Sequence, residues 1–326
     1  MDYVAPHWLP GGNLQTIWPA LYSRRREGPV PQYRRERWNT PDGDFIDVDF
    51  LDAPGAQRKP VLVLFHGLEG SSRSHYAEAF ADFAASRGMD FAVPHFRGCS
   101  GELNLAPRAY HSGDFEEIGW ILSQMRTRRD AAGGGPMLVV GVSLGGNALM
   151  RWAEEAGSEA SRIASAVASV CAPLDLAAGG AAIGKGFNRL VYTRMFLQSM
   201  KPKALKKLEQ HPGLFDRGAL LASRDLYTFD NIFTAPLHGF RDTEDYWRRG
   251  SAKPQLGDIQ IPALVVNALN DPFVPAASLP RPGEVGRHVT LWQPAHGGHV
   301  GFPRGAPPGH VREMPERVGG WLAQHL

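Results

Sequence analysis

The sequence predicts an α/β fold: a mostly parallel sheet of about eight strands, flanked by helices and carrying an inserted helical cap. Three observations lead there. Short apolar runs without polar alternation recur along the chain, as expected for strands covered on both faces. Helix-period segments separate them, which is the rhythm of βαβ units. Between residues 176 and 257 that rhythm stops, although predicted strands stand on either side. The 326 residues, 43% hydrophobic, suffice for a sizeable core and fit one domain over 1–326, with 176–257 inserted as a cap.

In chain order, an irregular N-terminal arm comes first. Residues 44–50 then alternate acidic and apolar side chains, the pattern of a half-buried strand at a sheet edge. Residues 61–65 are wholly apolar and run into His66-Gly67, and similar runs occupy 91–93, 137–140, 166–170 and 263–266. A last strand is expected over 288–292. Helices are expected over 74–87, 114–129, 144–156 and 311–326. In the first, Tyr76, Phe80, Phe83 and Ala84 share a face and Gly88 supplies a stop. The long, aromatic insertion would lie over the C-terminal edge of the sheet, where open α/β sheets bind ligands.

Composition narrows the function. Thirty-five Lys and Arg against 33 Asp and Glu leave a formal charge of +2, too near balance for a dedicated nucleic-acid binder. Cys99 and Cys171 cannot form a disulfide framework, which favours a reducing compartment. No apolar run approaches the ~18 residues of a membrane span. The first six residues start acidic and reach a proline at once, unlike a secretory leader. A cytoplasmic protein is the expectation. Arg24, Arg25 and Arg26, and likewise Arg34, Arg35 and Arg37, are read as solvated faces. Lys201, Lys203, Lys206 and Lys207 follow Met195-Phe196-Leu197 and are read as the watered side of an amphipathic cap helix. Weak contact of that side with lipid headgroups is the alternative.

Chemistry enters at Gly141-Val142-Ser143-Leu144-Gly145-Gly146, a G-x-S-x-G segment placed after an apolar strand and at the start of a helix. Small residues around the serine permit a sharp strand-to-helix turn that lifts its hydroxyl above the sheet, next to free helix N–H groups. Such a serine needs a base, and the base needs an orienting acid. Downstream, Asp271 lies just beyond the 263–266 strand, in Asn270-Asp271-Pro272. Its competing role is a turn-forming Asp before proline. His296 and His299 follow, in Ala295-His296-Gly297-Gly298-His299. Either histidine could be the base; His299 is preferred because the preceding glycines suit a loop tip. The two could also form a metal pair at i, i+3, but no neighbouring Cys, Asp or Glu in sequence completes a site, so no metal and no cofactor is expected. Acyl transfer also needs donors for a developing oxyanion, and the backbone N–H groups of Leu144 and Leu68 are the candidates. Cys99 is read as packed in a tight turn and Cys171 as core.

The joint order of these segments resembles the YheT-like esterase branch of the α/β-hydrolase superfamily, the AB hydrolase-4 type. The likeness rests on Asn13-Leu14-Gln15-Thr16, Phe65-His66-Gly67-Leu68-Glu69-Gly70-Ser71, Phe96-Arg97-Gly98-Cys99-Ser100-Gly101-Glu102 and Tyr110-His111-Ser112-Gly113. It continues through Thr234-Ala235-Pro236-Leu237-His238-Gly239-Phe240, Asp245-Tyr246-Trp247, Asn270-Asp271-Pro272-Phe273 and His296-Gly297-Gly298-His299-Val300-Gly301-Phe302. The resemblance implies an α/β-hydrolase fold, a Ser143, Asp271, His299 triad, and a small ester substrate with an apolar acyl chain, short- to medium-chain and monoacylglycerols among the choices. Acyl transfer to an alcohol would use the same residues, and a non-catalytic binding protein on this scaffold is the opposing class. Phe187, Leu190, Met195, Phe196 and Leu197 in the insertion are the right material to line an acyl tunnel, with packing of the insertion onto the sheet as the alternative role for most of them.

Overall fold

A computed structural model describes residues 3–55 and 58–326, so Met1 and Asp2 of the N-terminal reading lie outside the described residues. Eight strands form one sheet: β1 (Arg34–Asn39), β2 (Phe45–Leu51), β3 (Val61–Phe65), β4 (Asp90–Pro94), β5 (Met137–Val142), β6 (Ala166–Val170), β7 (Ala263–Val266) and β8 (Val289–Trp292). Their order is β1-β2-β4-β3-β5-β6-β7-β8. The first two pairings are antiparallel and the rest parallel. Every residue of β3, β5, β6 and β7 is buried, as the unbroken apolar runs require. Alternate side chains feed two cores. Val61, Val63 and Phe65 join Ile118, Ile121 and Leu149 on one face. Leu62 and Leu64 join Phe80, Phe83 and Val318 on the other. The covering helices are Phe115–Ala131 and Leu144–Ala156 on the first face, His75–Ser86 and Glu313–Leu322 on the second.

The structure corrects two expectations at the N-terminal side. The 44–50 segment is not the sheet edge, because β1 covers it. That edge strand is built from the arginines read as solvated. Arg35 stands opposite Asp49 and Arg37 opposite Asp47, and each guanidinium holds its carboxylate through two hydrogen bonds of 2.7–2.9 Å. Asp47 and Asp49 are thereby buried in the sheet, so the acid–apolar alternation marks a paired strand rather than a watered one. The N-terminal arm is also not wholly irregular: Gly11–Leu21 is helical, despite Pro19 inside it and no capping side chain. Its propensity is poor, and burial of Gln15 and Thr16 against the far end of the chain is what holds it.

Between β6 and β7 the chain forms helices Leu176–Ile183, Arg194–Gln210, Arg217–Ala222, Leu226–Ile232 and Thr243–Gly250. Four of them begin with an aspartate (Asp175, Asp216, Asp225 and Asp242) whose side chain accepts an N–H of the first turn. Such caps contribute about 1 kcal/mol each, which matters for helices this short. Leu197, Ala204, Leu220, Phe229 and Phe233 give the segment its own small core.

Candidate active site

Ser143 connects β5 to the helix Leu144–Ala156 in a left-handed conformation, φ 53°. A non-glycine residue is held there only when its surroundings over-determine it. Here they do: its N–H donates to Val170 O at 2.8 Å, and its carbonyl accepts from Gly146 and Asn147. Gly145 packs so close to the end of β3 that a Cβ would stand 2.6 Å from the carbonyl oxygens of Phe65 and His66. The turn therefore needs glycine at that position for close approach.

The Ser143 hydroxyl lies 3.0 Å from His299 Nε2, and His299 Nδ1 lies 2.9 Å from Asp271 Oδ2. The carboxylate fixes the tautomer, with Nδ1–H donating to Asp271 and Nε2 accepting from the Ser143 hydroxyl. The other Asp271 oxygen accepts the N–H groups of Phe273 at 2.7 Å and Val274 at 3.3 Å. Phe273 stacks on the imidazole with 4.1 Å between ring centroids. His296, the other histidine considered, is exposed and faces Asn270.

The 66–70 loop supplies the opposite wall. Burial, then the charge of His95, pushes the His66 imidazole down to about 3, so the ring is neutral. Its Nε2 accepts from Phe96 N–H at 3.1 Å, which leaves Nδ1–H to donate to Gly67 O at 2.8 Å. Tyr76 Oη accepts the N–H of Gly67, and Tyr110 Oη that of Glu69, each at 2.9 Å. Leu68 sits between these two anchored residues, and both Leu68 and Leu144 line the cavity that Ser143 opens into. The N–H of Leu144, at the first turn of its helix, has no intrahelical acceptor.

Sequence reasoning missed the support behind His299. Thr16 Oγ1 accepts the His299 N–H at 2.8 Å, and Gln15 Oε1 accepts from Gly297 N–H and from the Asn270 amide, both at 2.9 Å. Gly298, at φ +60°, has no room for a Cβ against Gln15, Gly12 and Thr16. The only signal for these residues was the short 13–16 motif, because the contacts span more than 280 residues.

A cation site was dismissed on sequence neighbours, but in space Cys171, Asp271 and His299 bring donor atoms within 4.8 Å of one another. Each of those atoms already has a partner. Asp271 and His299 share a hydrogen bond, and the Cys171 thiol, driven well above its ordinary range by burial and then by the Asp271 charge, stays protonated. It accepts the Val300 N–H at 3.3 Å. Cys99 is likewise pushed up, to about 11, by burial, in keeping with a packed thiol.

Above Ser143 lies a cavity of about 160 Å³ with a mainly apolar lining, including Leu176, Ile183, Phe196, Met200, Phe229 and Phe233. Of the five side chains expected to line a tunnel, Phe196 alone does so. Phe187, Leu190 and Met195 are exposed, and Leu197 packs inside the insertion. The lysines also divide otherwise than expected. Lys203 and Lys207 face the cavity side; Lys203 pairs with Glu69 at 2.9 Å, and buried Lys207 donates to the carbonyls of Asn104 and Ala106. Their place on the helix, not their charge, decides which way they point. Asp230 also lines the cavity, accepting from Thr234 Oγ1 at 2.6 Å and Trp247 Nε1 at 3.0 Å, and burial raises its carboxyl to about 6.

A strained serine between strand and helix, backed by an imidazole and a carboxylate at the C-terminal ends of a mostly parallel sheet, defines a class. The chain belongs to the alpha/beta hydrolase fold family, whose model matches residues 60–306. Within that family it is 38% identical to YheT of Escherichia coli, a proposed esterase, over all of this chain and 94% of the other. It is 26% identical to phospholipase ABHD3 of Homo sapiens, over 93% of this chain and 74% of the other. An esterase of Pyrobaculum calidifontis shares the fold, with a TM-score of 0.60 and 16% identity over 96% of this chain and 90% of that one. No helix among the described residues is long and apolar enough to cross a membrane.

Proposed function

We propose that the chain is a serine carboxylesterase acting on short- to medium-chain carboxylic esters, monoacylglycerols included. The observation that carries this reading is the hydrogen-bonded line Ser143–His299–Asp271 at the floor of an apolar cavity. His299 Nε2 takes the hydroxyl proton as Ser143 Oγ attacks the ester carbonyl, while Asp271 stabilises the imidazolium. The N–H groups of Leu68 and Leu144 receive the negative charge that develops on the carbonyl oxygen. Imidazolium returns the proton to the departing alcohol, leaving an acyl-serine, and water activated by His299 then hydrolyses it. The helices between β6 and β7 act as a cap that selects the acyl group, and the names of the relatives, a proposed esterase and a phospholipase, agree with ester chemistry.

The test is a p-nitrophenyl ester chain-length series together with labelling by a fluorophosphonate. Turnover with a preference among chain lengths, and labelling confined to Ser143, is the expected result. Absence of both in folded protein would overturn the reading. Accumulation of a new ester when an alcohol is added, at the expense of free acid, would recast the enzyme as an acyltransferase on the same residues.

A further inference from the structure

We propose that the outer face of the insertion docks on a bilayer containing anionic phospholipid. Between residues 176 and 208 the chain carries seven Lys and Arg and no Asp or Glu. Lys203 and Lys207 turn inward, as described above. Of the others, Lys185, Arg189, Arg194 and Lys206 are exposed and Lys201 is half-buried. Lys201 spends its ammonium on the carbonyls of Leu221 and Ser223, and the neighbouring charge acting on it is another cation, Arg224. Among the described residues, Lys203 is the one cation of this run held in an ion pair.

Large apolar side chains stand among these charges. Leu190 is 73% exposed, Phe187 and Met195 51% each, and Leu221 44%. Leu190, Leu197, Pro202, Leu205 and Leu221 line a shallow groove, and its rim is Arg189, Arg194, Lys201 and Arg224. A second copy in a two-fold contact would set these cations against themselves. An anionic bilayer satisfies both features, with headgroups against the arginines and the leucines and methionine entering the headgroup–acyl boundary. The same helix, Arg194–Gln210, turns Phe196, Met200 and Ala204 to the cavity that holds Ser143. Docking would thus place the cavity beside esters dissolved in the bilayer. That last consequence rests on the esterase reading; the docking itself does not.

The experiment is co-sedimentation of the full chain with vesicles of phosphatidylcholine alone and of phosphatidylcholine with phosphatidylglycerol, at low and high salt. Binding to the anionic vesicles at low salt, lost at high salt, is expected. R189E combined with R194E should weaken it by roughly tenfold or more, since each cation near such a surface counts about fivefold. L190S combined with M195S should weaken it at every salt concentration. Both double variants should melt like wild type and hydrolyse a soluble p-nitrophenyl ester at its rate. Equal sedimentation with both vesicle types, variants that sediment as wild type does, or self-association in the ultracentrifuge abolished by R194E would overturn the proposal. Vesicle binding without ester hydrolysis would support docking and count against the esterase reading alone.

Discussion

At the floor of the cavity the backbone positions the side chains, whereas the roof is held by contacts between side chains. Ser143 is fixed by a left-handed turn between β5 and its helix, and that turn is pressed against β3 through Gly145. Asp271 and His299 stand on loops that follow β7 and β8, tied down by Phe273, Val274 and Thr16. The roof is an assembly of helices held by a small apolar core of its own and by side-chain hydrogen bonds. Asp230 joins Thr234 to Trp247, Tyr246 accepts the Ser112 N–H, and His238 bonds to Thr234 O and Ala109 O. The contrast teaches where change is tolerated. Added bulk in the floor, as at Gly145, meets backbone at the strand ends, while a roof residue can be exchanged for another of its kind.

The sharpest way to break this contrast is at the floor. Ser143→Ala should lower kcat by about 10⁴-fold or more with an unchanged melting curve, and His299→Ala should match it. His296→Ala should keep most of the activity, because that ring is exposed. A steady-state comparison of the three variants decides the assignment. Next in size comes the turn itself: Gly145→Ala should cost about 1–3 kcal/mol by denaturant melt, since a new Cβ meets backbone carbonyls that cannot yield.

Changes in the roof should instead redirect activity. Phe196→Ala should move the preferred acyl length, with kcat/KM shifting by roughly ten- to 200-fold between neighbouring esters, as a methylene in an apolar pocket is worth about 1–3 kcal/mol. Leu190→Ala, outside the cavity, should leave the profile where it was. The smallest effect concerns Asp230. Its folded carboxyl is raised to about 6 by burial, so the folded protein holds that proton more tightly than the unfolded chain does. Stability should therefore fall as pH rises from about 4 through 6. Asp230→Asn should remove that slope, so that its melting temperature gains on wild type above pH 6 and the gain vanishes below about pH 4. Parallel melts across that range provide the check.

Some of the molecule could be read in one dimension. Residues 61–65, 137–140, 166–170 and 263–266 proved to be buried strands because a wholly apolar run has no watered face to offer. The Ser143 turn was legible because its requirements, a strand before it, small neighbours and a helix after it, are all local. Edge strand β1 was not, because nothing in residues 34–39 by themselves shows that the exposed Arg35 and Arg37 pair with Asp49 and Asp47 across a strand. The choice between exposed and cavity-facing positions in the insertion failed for Phe187, Leu190 and Met195 for a related reason: composition shows that apolar side chains are present, not which way a helix is turned.

The sequence by itself determined the sheet's apolar strands, the strand–serine–helix turn and the order serine, acid, histidine, since each depends on neighbours within a few residues or on chain order alone. The tertiary structure decided the rest. It put Thr16 and Gln15 beneath His299 and Gly297, more than 280 residues away, and Lys207 inside against the carbonyls of Asn104 and Ala106. A buried polar group must find a partner wherever the fold provides one, and no local pattern records a partner so distant in the chain.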